Sequence, residues 1–233
     1  NQSNFEVIYK PGVPLDDLLS IISDIDGWII RSGTKIQKNH ILKAKKLQVI
    51  GRAGVGTDNI DIESATLNGI VVMNVPDGNT VSAAEHTLAM ISALSRNIQL
   101  GHMGLVNGSW DRHKLVGHEL RGKILGVVGL GKIGREVIKR ALSFDMKILG
   151  YDPYVSQDYF DDSEIKVVSI DELTKNSDYI SLHVPFNDKT KDLFDLNRMK
   201  MMKKTSKIIN VARGGIINEN DLAQALDQEI ISG

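Results

Sequence analysis

Arg213 stands at the end of an apolar run, Ser206–Ala212 (SKIINVA), and is followed by Gly214, Gly215, Ile216 and Ile217. A guanidinium stays protonated inside a protein, so one at the mouth of an apolar strand calls for an anionic partner. Two partners are open. One is an acid of the protein surface. The other is a small 2-oxo acid, whose carboxylate Arg213 could bind bidentately while its charge polarises the ketone and stabilises developing alkoxide.

A second chemical feature sits upstream. GLGKIG, residues 129–134, fits G-x-G-x-x-G, follows the apolar run 124–129 and opens a helical pattern from about Lys132 to Phe144. The motif alone is weak, because glycines cluster in turns for many reasons. Its place in a strand–helix–strand unit of about 30 residues makes it a dinucleotide fingerprint. Gly129 permits the tight turn, Gly131 lets backbone approach a pyrophosphate, and Gly134 lets the helix pack on the strand. The helix start adds about half a positive charge and free N–H groups for the phosphates. Asp152, 18 residues beyond Gly134, ends the next apolar run. A carboxylate there accepts ribose hydroxyls and repels a 2′-phosphate, which favours NAD over NADP. The alternative makes Asp152-Pro153 no more than a strand-ending turn.

The elements that would position these groups are legible as alternation. Residues 7–9, 27–31, 47–51 and 70–75 read as strands; Leu15–Ile22, Asn39–Lys46 and Ile62–Leu67 read as helices. Continuous apolar strands separated by helices imply a parallel sheet covered on both faces. Pro76-Asp77-Gly78-Asn79 breaks the pattern, and Thr80–Arg96 follows as one long apolar helix, expected to lie against a partner or a second domain. Residues 97–121 read as polar and irregular. The alternation then resumes with strands at 124–129, 146–151, 167–168, 179–184 and 208–211 and helices at 132–144, 170–175, 193–202 and 218–227. Ser169 with Glu172 fits a capping box. The expected fold is α/β with two parallel-sheet domains: residues 1–76, flavodoxin-like and substrate-binding, and 77–233, a Rossmann-type NAD-binding domain. Consecutive βα units bring the strand ends at 129–131, 152, 184 and 211–213 to one carboxyl edge, where open α/β sheets bind ligands.

Bulk numbers limit the other classes. The 233 residues are 42% apolar and 24% charged with a net charge of −1, which argues against nucleic acid or an anionic membrane as partner. No apolar run approaches the roughly 20 residues that span a bilayer. There are no cysteines, hence no disulfides and no thiolate nucleophile or metal ligand. A cytoplasmic protein without a metal site is the simple expectation.

The blocks IRSGTK (30–35), GRAGVGTDNID (51–61), DGNTVSAAEHT (77–87), GLGKIGRE (129–136), GYDP (150–153), LHVP (182–185) and NVARGGII (210–217) together resemble the D-isomer-specific 2-hydroxyacid dehydrogenases. The resemblance covers nearly the whole chain and is nearest the branch acting on a phosphorylated 2-hydroxy acid. It implies that Arg213 is the catalytic arginine, that Lys132 and Ile133 touch the pyrophosphate, and that Asp152 binds the adenosine ribose. Val184 with Val211 and Ala212 would wall the nicotinamide, and Val55 would close over the cofactor from the other domain. Arg31, Arg52 and Asn79, with backbone at Ala53 and Gly54, would hold the substrate. Two arginines suit a substrate with both phosphate and carboxylate, although each could instead be a surface salt-bridge residue.

The family's general base, a His oriented by a Glu, is expected beyond Gly233, and a first strand and helix before Phe5. None of the six histidines is a good substitute. His86 is expected in the core or an interface, His183 to act through its backbone, and His40, His102, His113 and His118 to be solvated. Two other functions stay open: a hydroxypyruvate or glyoxylate reductase, and a non-catalytic NAD-sensing corepressor. The long helix 80–96 implies a homodimer or larger homo-oligomer.

Overall fold

The computed structural model describes residues 5–12, 17, 19–160 and 165–233. The chain divides into two compact units, 1–79 and 80–233. Among the described residues no helix is long and apolar enough to cross a membrane.

The first unit holds a three-stranded parallel sheet in the order β1 (Gly27–Ile30), β2 (Val49–Arg52), β3 (Val71–Asn74). Register aligns Ile30, Arg52 and Asn74, so Arg52 and Asn74 share the carboxyl end of the sheet. Helices α1 (Lys38–Lys43) and α2 (Ile62–Leu67) supply Ile41 and Ala65 to a core that also contains Ile30, Ile36, Ile50 and Ile60. Helix α2 starts where it does because the Asp61 carboxylate accepts the Ser64 N–H at 2.9 Å. That hydrogen bond holds the Asp61 carboxyl below its usual range.

Two expectations fail here. Residues 7–9 form no strand, and Val7, Ile8 and Tyr9 are exposed; three apolar residues in a row carry no period that separates a ladder from an extended segment. The expected helix Leu15–Ile22 falls partly outside the described residues, and 19–24 form turns.

The second unit is a five-stranded parallel sheet in the order β6-β5-β4-β7-β8. Its strands are β4 (Ile124–Val128), β5 (Lys147–Tyr151), β6 (Ile165–Val167), β7 (Tyr179–Leu182) and β8 (Lys207–Asn210). The chain runs outward from β4 to β6 and then returns to the other side of β4, which places the reversal of strand order between β4 and β7. That is where doubly wound sheets bind dinucleotides, outside the carboxyl ends of the strands. Both faces are covered, as the continuous apolar strands require. On one face α3 (Thr80–Ser95) and α5 (Lys132–Leu142) bury Ala84, Leu88, Ile91, Val137, Ile138 and Ala141 with Leu125 and Val127. On the other, Val128, Ile180 and Leu182 pack with Leu173, Met199 and Ala225 from α6 (Ile170–Asn176), α7 (Leu196–Met199) and α8 (Glu219–Asp227). Each fully buried aliphatic side chain contributes about 1.5–3 kcal/mol.

Caps set the helix starts. Ser169 accepts the Glu172 N–H, and Asn218 accepts the Asp221 N–H at 3.1 Å. At the amino end of the sheet Asp178 joins three segments: one oxygen accepts the Ile124 N–H at 2.8 Å and the other meets Lys203 at 2.8 Å. Burial works to raise the Asp178 carboxyl, but these partners leave it below the usual range.

Residues 97–121 are less irregular than expected. They contain α4 (Ile98–Val106) and a 3₁₀ turn at Arg112–Leu115. Gly101 and Gly104 suggest a loop by propensity, yet here they face close neighbours. Leu115 packs over Gly101, and the Ser109 N–H donates to the Gly104 carbonyl at 2.8 Å. The expected helix 193–202 contracts to α7, after which Met201 and Met202 donate to Arg198 and Met199 in tighter i→i+3 turns.

Candidate active site

The glycine loop 129–134 leaves β4 and enters α5 at the reversal of strand order. Three glycines meet three different demands. Gly129 adopts φ +95°, and a Cβ there would lie 2.7 Å from the His183 carbonyl oxygen and 3.0 Å from Val184 Cγ1. Gly134 has no room for a side chain because its Cβ would fall on the Gly129 carbonyl oxygen. Gly131 is the opposite case: a Cβ there would meet nothing within 4 Å. Packing therefore does not demand a glycine at 131, and the loop has open space at that point. Gly131 is also the N-cap of α5, and no side chain caps the helix. The start of this eleven-residue helix, with its dipole behind it, is a place that favours an anion. Lys132 is exposed, whereas the Ile133 side chain packs into the core. A phosphate would therefore meet Ile133 by its backbone alone.

Asp152 follows β5 and faces this loop. Its Oδ2 accepts the Leu130 N–H and its Oδ1 accepts the Tyr154 N–H, each at 2.9 Å. The turn-forming role considered from sequence is thus real, and Asp152 also fixes the glycine loop. A carboxylate offers about four lone-pair positions, so two remain for hydroxyl donors. The Gly129 N–H donates to Tyr151 O at 2.8 Å, which ties the loop to β5 a second time.

The ends of β7 and β8 lie along the same edge. The His183 N–H donates to Val128 O at 2.7 Å, so the backbone of His183 extends the ladder against β4. Its ring has a task as well, since Nε2 lies 3.1 Å from Ser181 Oγ. Burial pushes the imidazole down to about 4, so the ring is neutral at neutral pH. Val184, Val211 and Ala212 are half-buried and join the core cluster residues at this edge. Arg213 is half-buried, with Nη1 2.9 Å from Ala212 O. Its backbone is held by Asn210, whose amide donates to Arg213 O at 2.7 Å and accepts the Ala212 N–H at 3.0 Å.

The substrate-side candidates belong to the first unit. The Ala53 N–H donates to Ile30 O at 2.8 Å, and the Val75 N–H to Gly54 O at 2.9 Å, which stretches the 53–55 turn between β1 and β3. Asn74 donates to Val55 O at 2.7 Å. The Arg52 guanidinium lies back over this turn, where a side chain on Gly54 would collide with it, and Nη1 reaches Ala53 O at 3.2 Å. Arg52 Nε is buried with no hydrogen-bond partner among the described residues. Arg31 is exposed, and its carbonyl accepts from the Asn59 amide at 3.1 Å. Asn79 is exposed at the end of the unit.

Three asparagines were not anticipated: Asn59, Asn74 and Asn210 each clasp a turn that carries a candidate residue. For Asn74 and Asn210 the signal was an Asn at the end of a strand, but the partner of each of the three depends on tertiary placement that a linear motif does not encode. One histidine expectation is corrected. His40 is buried, not solvated, because its Nδ1 accepts the Gln37 N–H at 3.0 Å and closes the start of α1. His86 lies outside the core of this chain, since α3 turns Ala84, Leu88 and Ile91 inward instead, which leaves the interface half of its expectation. Among the described residues no cluster of His, Asp or Glu is arranged to hold a metal ion.

Comparison with known proteins agrees with this geometry. Residues 88–233 match the D-isomer specific 2-hydroxyacid dehydrogenase, NAD binding domain. The chain is similar to D-3-phosphoglycerate dehydrogenase of Methanocaldococcus jannaschii, 46% identical over 224 residues, which is 96% of this chain and 43% of that protein. The human D-3-phosphoglycerate dehydrogenase is 42% identical over 228 residues, 98% of this chain and 43% of its own length. The chain thus spans less than half the length of these relatives. Among solved structures, NAD-dependent formate dehydrogenase from Staphylococcus aureus in complex with NAD superposes with a TM-score of 0.86 at 36% identity, over 94% of this chain and 66% of the other. The chain therefore belongs to the D-isomer-specific 2-hydroxyacid dehydrogenases, and residues 88–233 are its NAD-binding domain.

Proposed function

We propose that the whole protein is an NAD-dependent D-3-phosphoglycerate dehydrogenase, which oxidises the 2-hydroxyl of its substrate to 3-phosphohydroxypyruvate at the entry to the phosphorylated route of L-serine synthesis. In this proposal residues 77–233 bind the cofactor and residues 1–76 carry the substrate side, in a cytoplasmic homo-oligomer. The observation that carries it is the uncapped start of α5 with open space at Gly131 and the Asp152 carboxylate beside it. These residues fit a dinucleotide: amide N–H groups for the pyrophosphate, and a carboxylate with two unused lone pairs for ribose hydroxyls. A second support is the similarity to D-3-phosphoglycerate dehydrogenases along almost the entire chain.

The roles follow from the chemistry of each group. Gly129, Gly131, Lys132, Ile133 and Gly134 form the pyrophosphate turn, and Asp152 disfavours a 2′-phosphate by charge. Bound nicotinamide supplies the hydride acceptor. Val184, Val211 and Ala212 give that ring a dry wall, and Val55 adds apolar cover from the first unit. Arg213 pairs with the substrate carboxylate and steadies charge on the reacting oxygen. Arg31, Arg52 and Asn79, with the Ala53 and Gly54 backbone, take the remaining anionic and polar groups. Arg52 is suited to this because its Nε is buried without a partner, a condition that an anion would relieve.

The test is turnover by the whole protein. NADH should form with D-3-phosphoglycerate, and Arg213→Lys should cut kcat by about 10²-fold or more. Arg31→Ala with Arg52→Ala should raise KM for the phosphorylated substrate far more than for glyoxylate or hydroxypyruvate. Strong turnover of an unphosphorylated D-2-hydroxy acid with none of D-3-phosphoglycerate would overturn the assignment.

A further inference from the structure

The turn that carries Arg213 is held from two sides, and only one belongs to its own strand. On the strand side is the Asn210 clasp. On the far side is Gly215, at φ +79°, with the ring of Phe186 over it: a Cβ on Gly215 would lie 2.8 Å from Phe186 Cε2. Phe186 follows β7, so this contact joins the exit of one strand to the exit of its neighbour. The same two segments are bonded again, because the Asp192 N–H donates to Gly215 O at 2.8 Å and the Phe194 N–H to Ile216 O at 3.2 Å. The intervening stretch 185–192 is itself fixed. Thr190 Oγ1 donates to Pro185 O at 2.6 Å and accepts the Asn187 N–H at 2.9 Å, and Asn187 Oδ1 accepts the Lys189 N–H at 2.9 Å.

We infer that Phe186, braced by Thr190, is a positioning residue for Arg213. The inference rests on the role proposed above for that arginine. A residue that served only as cover would not need its ring pressed on a glycine in the left-handed region, two positions beyond the guanidinium. Phe186 remains 45% exposed, so burial of its own surface does not account for its placement. Gly214 is exposed and Gly215 has no side chain. Beyond the Asn210 clasp at its start, the two glycines give the turn no intrinsic restriction of their own, and glycines are the residues with the most conformational freedom to lose. The ring and the Asp192 hydrogen bond supply that restriction from outside. A shift of about 1 Å at a charge that stabilises the reacting oxygen is enough to cost roughly 10²-fold in rate.

The test is a double-mutant cycle on the whole protein, with kcat for oxidation of the 2-hydroxy acid and Kd for NADH measured in parallel. Phe186→Ala should lower kcat at least tenfold, leave Kd for NADH within threefold, and leave Tm close to wild type. Phe186→Leu should recover most of the rate by filling the same space, and Thr190→Val should give a smaller loss than Phe186→Ala. The decisive comparison is Phe186→Ala in an Arg213→Ala background, where the second change should have no further effect on kcat. If the losses multiply, or if Phe186→Ala leaves kcat unchanged while Arg213→Ala abolishes it, Phe186 does not act through Arg213 and the inference fails alone. If Arg213→Ala itself leaves kcat unchanged, the proposed role of Arg213 fails and takes the inference with it.

Discussion

Two loops in this chain are proposed above to meet negative charge, and they are finished to different degrees. The 129–134 turn of the second unit has its shape set entirely by the protein. Asp152 and Tyr151 accept its N–H groups, Gly134 packs on the Gly129 carbonyl, and Gly129 packs on the His183 carbonyl. The 52–55 turn of the first unit is pinned through its backbone by Ile30, Asn74 and Val75, but its charged side chain is not satisfied. The first loop offers amide groups that need no rearrangement. The second keeps a buried guanidinium nitrogen without a partner, and an unmet buried donor costs on the order of 1–3 kcal/mol. A ligand with an anionic group would repair the second loop and would merely occupy the first.

This contrast can be broken at its stronger end. Gly134→Ala places a methyl group on the Gly129 carbonyl oxygen, so either the helix or the turn must move. Affinity for NAD should fall by at least 10²-fold, and stability by about 2–3 kcal/mol. Calorimetric titration and urea melts check both. Unchanged affinity would mean that the turn geometry does not govern cofactor binding.

The weaker loop gives a result of opposite sign. Arg52→Met keeps the aliphatic stem and removes the unsatisfied nitrogen, so the ligand-free chain should be as stable as wild type or more stable by up to about 1 kcal/mol. Binding of D-3-phosphoglycerate to the whole protein should fall about tenfold or more. A clear loss of stability with no loss of binding would show that Arg52 is a structural residue.

A third expected effect is a pH dependence at the seam between the two central strands. The His183 imidazole is held at about 4 against an ordinary value near 6.5, so between those pH values the unfolded chain binds the extra proton. Its contribution to stability is complete above about pH 6.5 and is lost as pH falls toward 4. Chemical denaturation at pH 7.5 and pH 5 should show a decline in wild type that is smaller in His183→Gln. Equal declines would place the proton elsewhere.

Much of the second unit was legible because its instructions are local. The glycine spacing, the acid after the next strand and the continuous apolar strands each follow from a few adjacent residues. The same locality explains the failures. Gly101 and Gly104 suggested a loop, and only Leu115 and Ser109, which lie later in the chain, explain why a helix forms there. His40 looked solvated until the fold closed Gln37 onto its ring. Asp152 was legible as an acid closing a strand, but its grip on Leu130 depends on the β4–β5 register. The asparagine clasps at 59, 74 and 210 and the Phe186 ring over Gly215 were invisible for the same reason.

The central claim is that dinucleotide phosphate rests on the amide groups at the start of α5. Titration of the isotope-labelled 233-residue chain with NAD, followed by amide resonances, tests it most directly. The Gly131, Lys132 and Ile133 amides should shift most and saturate together with Asp152, and NADP should require a concentration at least tenfold higher. Saturation that leaves those three amides in place while resonances elsewhere move would contradict it.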